Sequence, residues 1–470
     1  MNHNIILITL DAVRADHLKI YGYSRNISPN IDLLGARGLV FKNCYSNGPD
    51  TPSGTSSILT SYLPFSNGGY SPLPSHKIMI NEFFKLIGYK TIFIHNNPNL
   101  SAFFNYNRGW DTFIDYGYHS RGKITTIEKI SSNKAINYIN AIIKQAITKL
   151  TNFGLINKFL DKINELLKKD NRLNYYDAKV ATAKVIETLK GIDGNFFLWV
   201  HYMDTHHPFY PPGKNVKKVY GKEISPLKQR EIENKREKNV LDENEKKIID
   251  ILYDAEINHI DEQIGELYKF LKKSGLVENT IIILTADHGE ELGDHGYYGH
   301  QGRIFNELLK IPLIFSGGLF SKQQGFIENP VMQVDILPTL LDYFGISSKK
   351  KHGFEGISLI PSIKSKSREE RKIISECFHK GQSIKRDSDS GFKLISVIDN
   401  GFKYIFDQED GREYLFNIKK NPDEKIDIKD DRTDILEKMR KISKERLYTP
   451  KTITEKIKIN DIISKTEFKL

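Results

Sequence analysis

Two short apolar, β-prone runs far apart in the chain each stop abruptly at a carboxylate: L-I-T-L before Asp11, and I-I-I-L-T-A before Asp287 and His288. A strand that ends this way delivers a ligand to the carboxyl edge of an α/β sheet, where open sheets of this kind place their chemistry. Between them, G-P-D-T-P-S-G-T-S-S-I-L-T-S is a hydroxyl-rich turn that opens a helix. The three segments read as parts of one site, a metal-activated hydroxyl nucleophile.

Taken singly, the signals differ in weight. Asp11 has a simpler role as a cap for the following turn. Thr51 has one as an N-cap, shared with Ser53, Gly54 and Thr55. The adjacent Asp287–His288 pair at a buried strand end is harder to explain structurally, and a carboxylate with an imidazole suits Zn²⁺ or Mn²⁺. A Thr hydroxyl is nearly inert at neutral pH and needs a metal or base. The start of a helix favours an incoming anion, which makes Thr51 the natural third corner.

Strand and helix patterns alternate up to about residue 115. Strands are expected at I-I-L-I-T-L, L-V-F-K-N-C-Y and Y-K-T-I-F-I-H, and helices at Pro29–Gly38 and Gly54–Thr60. Alternation of this kind implies a mainly parallel sheet. A helical, Lys/Asn-rich insertion is expected at about 118–185, and a charged one at about 214–244. F-F-L-W-V-H-Y resumes the sheet. An apolar face from Ile248 to Leu271 marks a long helix that ends near Gly275, before T-I-I-I-L-T-A and I-P-L-I-F. After about residue 365, period-2 runs (K-L-I-S-V-I, F-K-Y-I-F, E-Y-L-F-N-I) predict a small antiparallel sheet with a helix from about Asp434. The expected organisation is a catalytic α/β domain over 1–365 and an α+β subdomain over 366–470.

Histidines gather in two places. F-L-W-V-H-Y-M-D-T-H-H-P-F holds His201, Asp204, His206 and His207, and a Gly-rich loop holds His295 and His300. Imidazoles on such loops act as proton donors or anion binders, while His17 and His207 have packing or surface roles as the simpler reading. Two cysteines, Cys44 and Cys377, form neither a CxxC pattern nor a disulfide framework. No stretch resembles an export signal or a membrane span, so a cytoplasmic protein is expected. The net charge of +10 sits largely in polar, solvated runs, so no nucleic-acid partner is expected, and a basic surface drawing an anionic substrate or acidic headgroups is the remaining use.

N-I-I-L-I-T-L-D-A-V-R-A-D-H-L-K-I-Y-G-Y, S-P-N-I-D-L-L-G-A-R-G-L-V-F-K-N-C-Y-S, Y-D-A-E-I-N-H-I-D-E-Q-I-G, N-T-I-I-I-L-T-A-D-H-G-E-E-L-G-D-H-G, V-D-I-L-P-T-L-L-D and E-Y-L-F-N-I-K-K-N-P-D-E occur in that order. Together they resemble the sulfatase branch of the alkaline phosphatase superfamily over about residues 3–425. The resemblance implies a three-layer sandwich with a mainly parallel central sheet and a small C-terminal antiparallel sheet with a helix. It implies Asp11, Asp287 and His288 as metal ligands with Thr51 at the nucleophile. It puts His206 near the ester or its leaving group and His300 where many relatives have a lysine. Asn97 lies in a segment that borders the site in relatives, and His295, on the His300 loop, and His201 are also expected at the substrate.

Departures from the family pattern bear on the chemistry. Sulfatases carry C-x-P-x-R or S-x-P-x-R, whose first residue becomes formylglycine. Here Thr51 and Thr55 stand at the first and last positions, and a secondary alcohol cannot give the aldehyde, so no formylglycine is expected. Ala12 replaces the second Asp typical of Ca²⁺-binding members, which favours Zn²⁺ or Mn²⁺ over Ca²⁺ or Mg²⁺. Thr nucleophiles are familiar in the superfamily's phosphodiesterases and phosphotransferases. The expected activity is hydrolysis or transfer of a phosphoryl-type ester, a phosphodiester or phosphomonoester, on a glycan or lipid headgroup. A sulfatase acting without formylglycine and a non-catalytic member that binds an anionic glycan stay open.

Overall fold

The computed structural model describes residues 3–68, 72–116, 177–300, 302–346, 353–365, 371–378 and 393–448. Its centre is an eight-stranded sheet in the order Gly325–Ile327, Gly38–Phe41, Leu313–Ser316, Thr280–Ala286, Asn4–Leu10, Phe196–Tyr202, Lys90–His95, Thr112–Asp115. Leu313–Ser316 runs antiparallel to both of its neighbours; all other pairs are parallel. Every residue of Asn4–Leu10, Phe196–Tyr202 and Thr280–Ala286 is buried. Successive side chains on a strand point to opposite faces, so both faces of the sheet are covered. Aromatic packing fills one region, with Phe93 and Trp199 stacked at 3.9 Å between centroids.

Register sets the position of the chemistry. Leu10 lies opposite both Tyr202 and Ala286. The Asp11 N–H donates to Tyr202 O (2.8 Å), and the Asp287 N–H to Leu10 O (3.3 Å). The two aspartates therefore leave the sheet side by side. The expected long helix is Glu243–Lys273, opened by Asp242 with Glu245 in a capping box and followed by Gly275 at φ 69°. From it Tyr253 Oη donates to Ala12 O at 2.7 Å, fastening the turn after Asp11, where Ala12 takes φ 57°.

Two strands expected as single runs are each split. L-V-F-K-N-C-Y gives Gly38–Phe41 in the large sheet and Cys44–Tyr45 in a separate three-stranded sheet. I-P-L-I-F divides at Pro312, which cannot donate to a ladder, into Lys310–Ile311 and Leu313–Ser316. The helix expected at Gly54–Thr60 begins earlier, at Thr51. The charged segment at 214–244 forms the helices Gly213–Tyr220 and Pro226–Glu237. Most of the expected 118–185 insertion lies outside the described residues; its end falls in the helix Ala178–Lys190.

The C-terminal sheet is antiparallel in chain order, Ile373–Cys377, Leu394–Asp399, Phe402–Asp407 and Glu413–Asn417, with Thr433–Tyr448 as its helix. The first of these strands was not among those expected. Asn400 and Gly401 both have positive φ (52° and 82°), as a two-residue hairpin of this twist requires. Arg446 pairs with Glu376 inside this part and, at 2.6 Å, with Glu355 of the rest of the chain. No described helix is long and apolar enough to cross a membrane.

The helix Thr51–Thr60 presses directly on the Asp287 strand end. A Cβ added at Gly54 would lie 2.1 Å from Asp287 O. By helix propensity alone, Gly54→Ala would gain about 1 kcal/mol. The clash reverses that sign: urea unfolding is expected to show Gly54→Ala destabilised by about 1–3 kcal/mol. Gly191→Ala, with nothing within 4 Å of the added carbon, is the neutral control.

Candidate active site

The helix N-terminus, the two strand ends and the segment after Lys90–His95 meet around four groups: Thr51 Oγ, Asp11, Asp287 and His288. Asp50 caps the helix by accepting the Ser53 N–H at 3.0 Å, which leaves Thr51 as the first helical residue. Thr51 Oγ lies 3.4 Å from His288 Nε2, 3.5 Å from Asp11 Oδ2 and 3.3 Å from Asn97 Nδ2. Ser46 Oγ and Gln333 Nε2 donate to Asp287 O at 2.7 and 2.6 Å and so hold its main chain.

Hydrogen bonds sort the carboxylate oxygens into two kinds. Asp11 Oδ2 accepts from Asn97 Nδ2 (2.7 Å) and His201 Nε2 (3.1 Å). Asp287 Oδ1 accepts the N–H groups of Ala12 (3.0 Å) and His288 (2.8 Å). Asp11 Oδ1 and Asp287 Oδ2 are buried with no hydrogen-bond partner, 3.8 and 3.6 Å from His288 Nε2. His288 Nδ1–H donates to Gly289 O (2.7 Å), which leaves the lone pair on Nε2. Two orphaned carboxylate oxygens, an imidazole lone pair and a hydroxyl thus face one another. That donor set fits a divalent cation.

Charge supports the same fit. Burial raises the Asp11 carboxyl, but the positive character of His206 and the hydrogen bond from His201 outweigh it and hold it below its ordinary range. Asp287 is pushed up, by burial first and then by the charge of Asp11. Two buried carboxylates cannot both ionise cheaply without a cation between them.

His201, expected at the substrate, stands behind Asp11 instead. Trp199 Nε1 donates to Thr9 Oγ at 2.8 Å, so Thr9 directs its own proton to His201 Nδ1 (2.8 Å), and His201 Nε2–H points at Asp11. Both ring nitrogens are used. Asn97 likewise holds Asp11 and Thr51 together. His295 also departs from the expectation. Gly293 and Gly296 (φ 102° and 81°) turn its loop, its Nδ1 bonds Glu307 at 2.5 Å, and its ring stacks on Phe305. It faces a separate cavity of about 650 Å³ with Arg14, Asp294 and Lys419.

His206 and His300 do approach the centre. The His300 ring is 4.4 Å from that of His288 and 4.9 Å from that of His206. Burial opposes a charge on His300, but Glu290, then Asp11 and Asp287, push it up to about 9. A cation bound between the aspartates would remove part of this and leave Glu290, whose Oε2 lies 3.2 Å from His300 Nδ1. His206 is lowered to about 3 by burial and by His207 and His300, against the pull of Asp11. Its Nδ1–H donates to His207 O at 2.5 Å.

Glu290 had no role in the sequence reading, although it closes the D-H-G-E motif. It is buried and also lies 3.4 Å from His207 Nδ1, so His207 belongs to this network. Tyr106 was missed as well. It hydrogen-bonds Thr55 at 2.8 Å, and Thr55 donates to Thr51 O at 2.5 Å. Arg14 is turned away, bonded to Asp16 and Asp294.

A hydroxyl at a helix N-terminus, two carboxylates with orphaned oxygens and imidazoles, gathered at the carboxyl edge of a sheet, define an ester-processing centre suited to a divalent cation. The Sulfatase family profile matches residues 3–346, and the chain belongs to the sulfatase family. It is therefore a hydrolase of that family, acting on sulfuric or phosphoric esters. An arylsulfatase of Clostridium perfringens (strain 13 / Type A) is 26% identical over 388 residues, 76% of this chain and 78% of the relative. The phosphonate monoester hydrolase of Agrobacterium radiobacter shares the fold, with TM-score 0.69, 18% identity and 95% of each chain covered. So does a protein solved in complex with its substrate D-glucosamine-2-N,6-O-disulfate, with TM-score 0.70, 17% identity and 96% and 99% covered.

Because Asp287 is raised, a proton and a cation compete for it. Zn²⁺ or Mn²⁺ affinity is expected to rise with pH, with protons released on binding. Calorimetry in buffers of different ionisation enthalpy checks both, and Asp287→Asn should remove the share of each that belongs to this centre.

Proposed function

We propose that the chain cleaves or transfers a phosphoryl-type ester, a phosphodiester or phosphomonoester, with Thr51 as nucleophile. The observation that carries this reading is the placement of a secondary alcohol, within 3.5 Å of Asp11, His288 and Asn97, at the start of a buried helix. Asp11, Asp287, His288 and Thr51 would hold one divalent cation, Zn²⁺ or Mn²⁺, which when bound lowers the hydroxyl pKa and polarises a substrate oxygen.

Asn97 and the helix cap orient Thr51 Oγ for in-line attack on phosphorus. The hydroxyl loses its proton to solvent, an O–P bond forms to give phosphothreonine, and the bond to the leaving oxygen breaks. His300, backed by Glu290, donates to the leaving oxygen or holds the equatorial oxygens. His206, with Nδ1–H tied to a carbonyl, lies against the leaving group, and His300, neutral once it has donated, takes the proton of the water or acceptor alcohol that resolves the adduct. The alcohol part of the ester is proposed to be a glycan or lipid headgroup, in keeping with the sulfated glucosamine bound by the structural relative.

The second reading is sulfate-ester cleavage without formylglycine, favoured by the arylsulfatase relative. Retention of both orphaned carboxylates weighs against a silent binding protein. A matched aryl-ester panel with Zn²⁺- or Mn²⁺-loaded protein separates the two: phosphate monoester, diester, phosphonate and sulfate. The phosphoryl esters are expected to lead. Thr51→Ala is expected to lower kcat/KM by about 10³-fold or more, with a phosphorylated Thr51 peptide trapped by mass spectrometry in the wild type only. Preference for sulfate that survives both Thr51→Ala and chelation would reject the mechanism.

A further inference from the structure

Behind the T-H-H-P segment lies a second group of ligand-type side chains that the proposed reaction does not use. Asp177 caps the helix Ala178–Lys190, Asp204 follows the strand Phe196–Tyr202, and His259 sits midway along Glu243–Lys273. One ligand atom from each lies within 4.8 Å of the other two. His259 Nε2 is 2.6 Å from Asp177 Oδ1 and 3.8 Å from Asp204 Oδ1. We propose that Asp177, Asp204 and His259 form a second divalent-cation site that is structural rather than catalytic.

The observation that points to a ligand is Asp204. Its side chain is only 10% exposed; Oδ1, the oxygen nearest His259, accepts the Ala178 N–H at 2.9 Å, and Oδ2 beside it is buried with no hydrogen-bond partner among the described residues. An ionised carboxylate left in that state is costly, and a cation is the simplest group that satisfies it. The carboxylates of Asp177 and Asp204 face one imidazole, which they push up against its burial; a divalent cation would take the place of that proton. Burial and the charge of Asp177 push Asp204 up to about 6, against the pull of His259.

Among the described residues Nδ1 of His259 is buried without a partner, so Nε2 carries either the proton shared with Asp177 or a metal. Two carboxylates and an imidazole suit Zn²⁺ or Mn²⁺. The three ligands come from three separate elements, so an ion there would lock the helix Ala178–Lys190 and the long helix to the strand end that leads into His206 and His207. The site rests on its own residues and not on the reaction proposed above.

Metal content of the full chain tests this. The protein is stripped with a chelator, dialysed against Zn²⁺ or Mn²⁺ alone, and bound metal is counted by inductively coupled plasma mass spectrometry. The wild type should hold one ion more than Asp204→Asn or His259→Gln, and Asp287→Asn should retain the ion those two lose. Added Zn²⁺ should raise the Tm of Asp287→Asn but not that of the Asp204→Asn/Asp287→Asn double variant. If circular dichroism shows Asp204→Asn unfolded, His259→Gln carries the same expectation. Wild-type stoichiometry in folded Asp204→Asn or His259→Gln, or a wild type whose bound metal is all lost in Asp287→Asn, would overturn the proposal.

Discussion

Two aspartates that leave neighbouring parallel strands at the same height are the constraint on which the rest of the centre depends. Once Leu10 is opposite Ala286, the next residues, Asp11 and Asp287, have no choice but to share a buried space. Like charges this close, out of water, are strongly unfavourable. The surrounding structure can be read as the response. Main-chain N–H groups of Ala12 and His288 satisfy one oxygen of Asp287, and Asn97 and His201 satisfy one oxygen of Asp11. One oxygen of each remains open toward His288 Nε2. An open pair of this sort is a liability in an inert core and an asset where a cation is to be held.

Around this pair the fold supplies rigidity by close approach. The helix that presents Thr51 can reach the Asp287 strand end only because Gly54 has no side chain there. The same logic governs the histidines. Trp199 can only donate, which fixes the direction of the chain through Thr9 and His201 to Asp11. Glu290, buried against His207 and His300, holds the His300 ring beside His288. Thr55 stands at the position where the family pattern carries an arginine; with Tyr106 it braces the Thr51 main chain but brings no positive charge.

The sequence made legible whatever depends on local pattern. Apolar runs ended by Asp11 and Asp287 located the strands and their carboxyl ends, and heptad-like spacing located the long helix. The hydroxyl-rich turn marked the helix start, although three residues late, because Thr51, Pro52 and Ser53 read equally well as a turn. What failed was of another kind. Pro312 and the Lys42–Asn43 step divided two apparent strands between different sheets. His295, so close in sequence to His300, is carried off by Gly293 and Gly296 to stack on Phe305.

Composition and order of residues by themselves determined the class of fold, the presence of Asp11, Thr51, Asp287 and His288 as one set, and the loss of any residue able to become formylglycine at position 51. Those follow from side-chain chemistry and the two-residue and 3.6-residue periods of the backbone, which are written into a linear string. Only the tertiary structure decided which histidines lie beside His288 and which stands behind Asp11. The same is true of which carboxylate oxygens are left open, and of the meeting of Asp177, Asp204 and His259. Such outcomes depend on register, on hydrogen-bond direction and on the approach of segments distant in sequence, and none of these leaves a local trace.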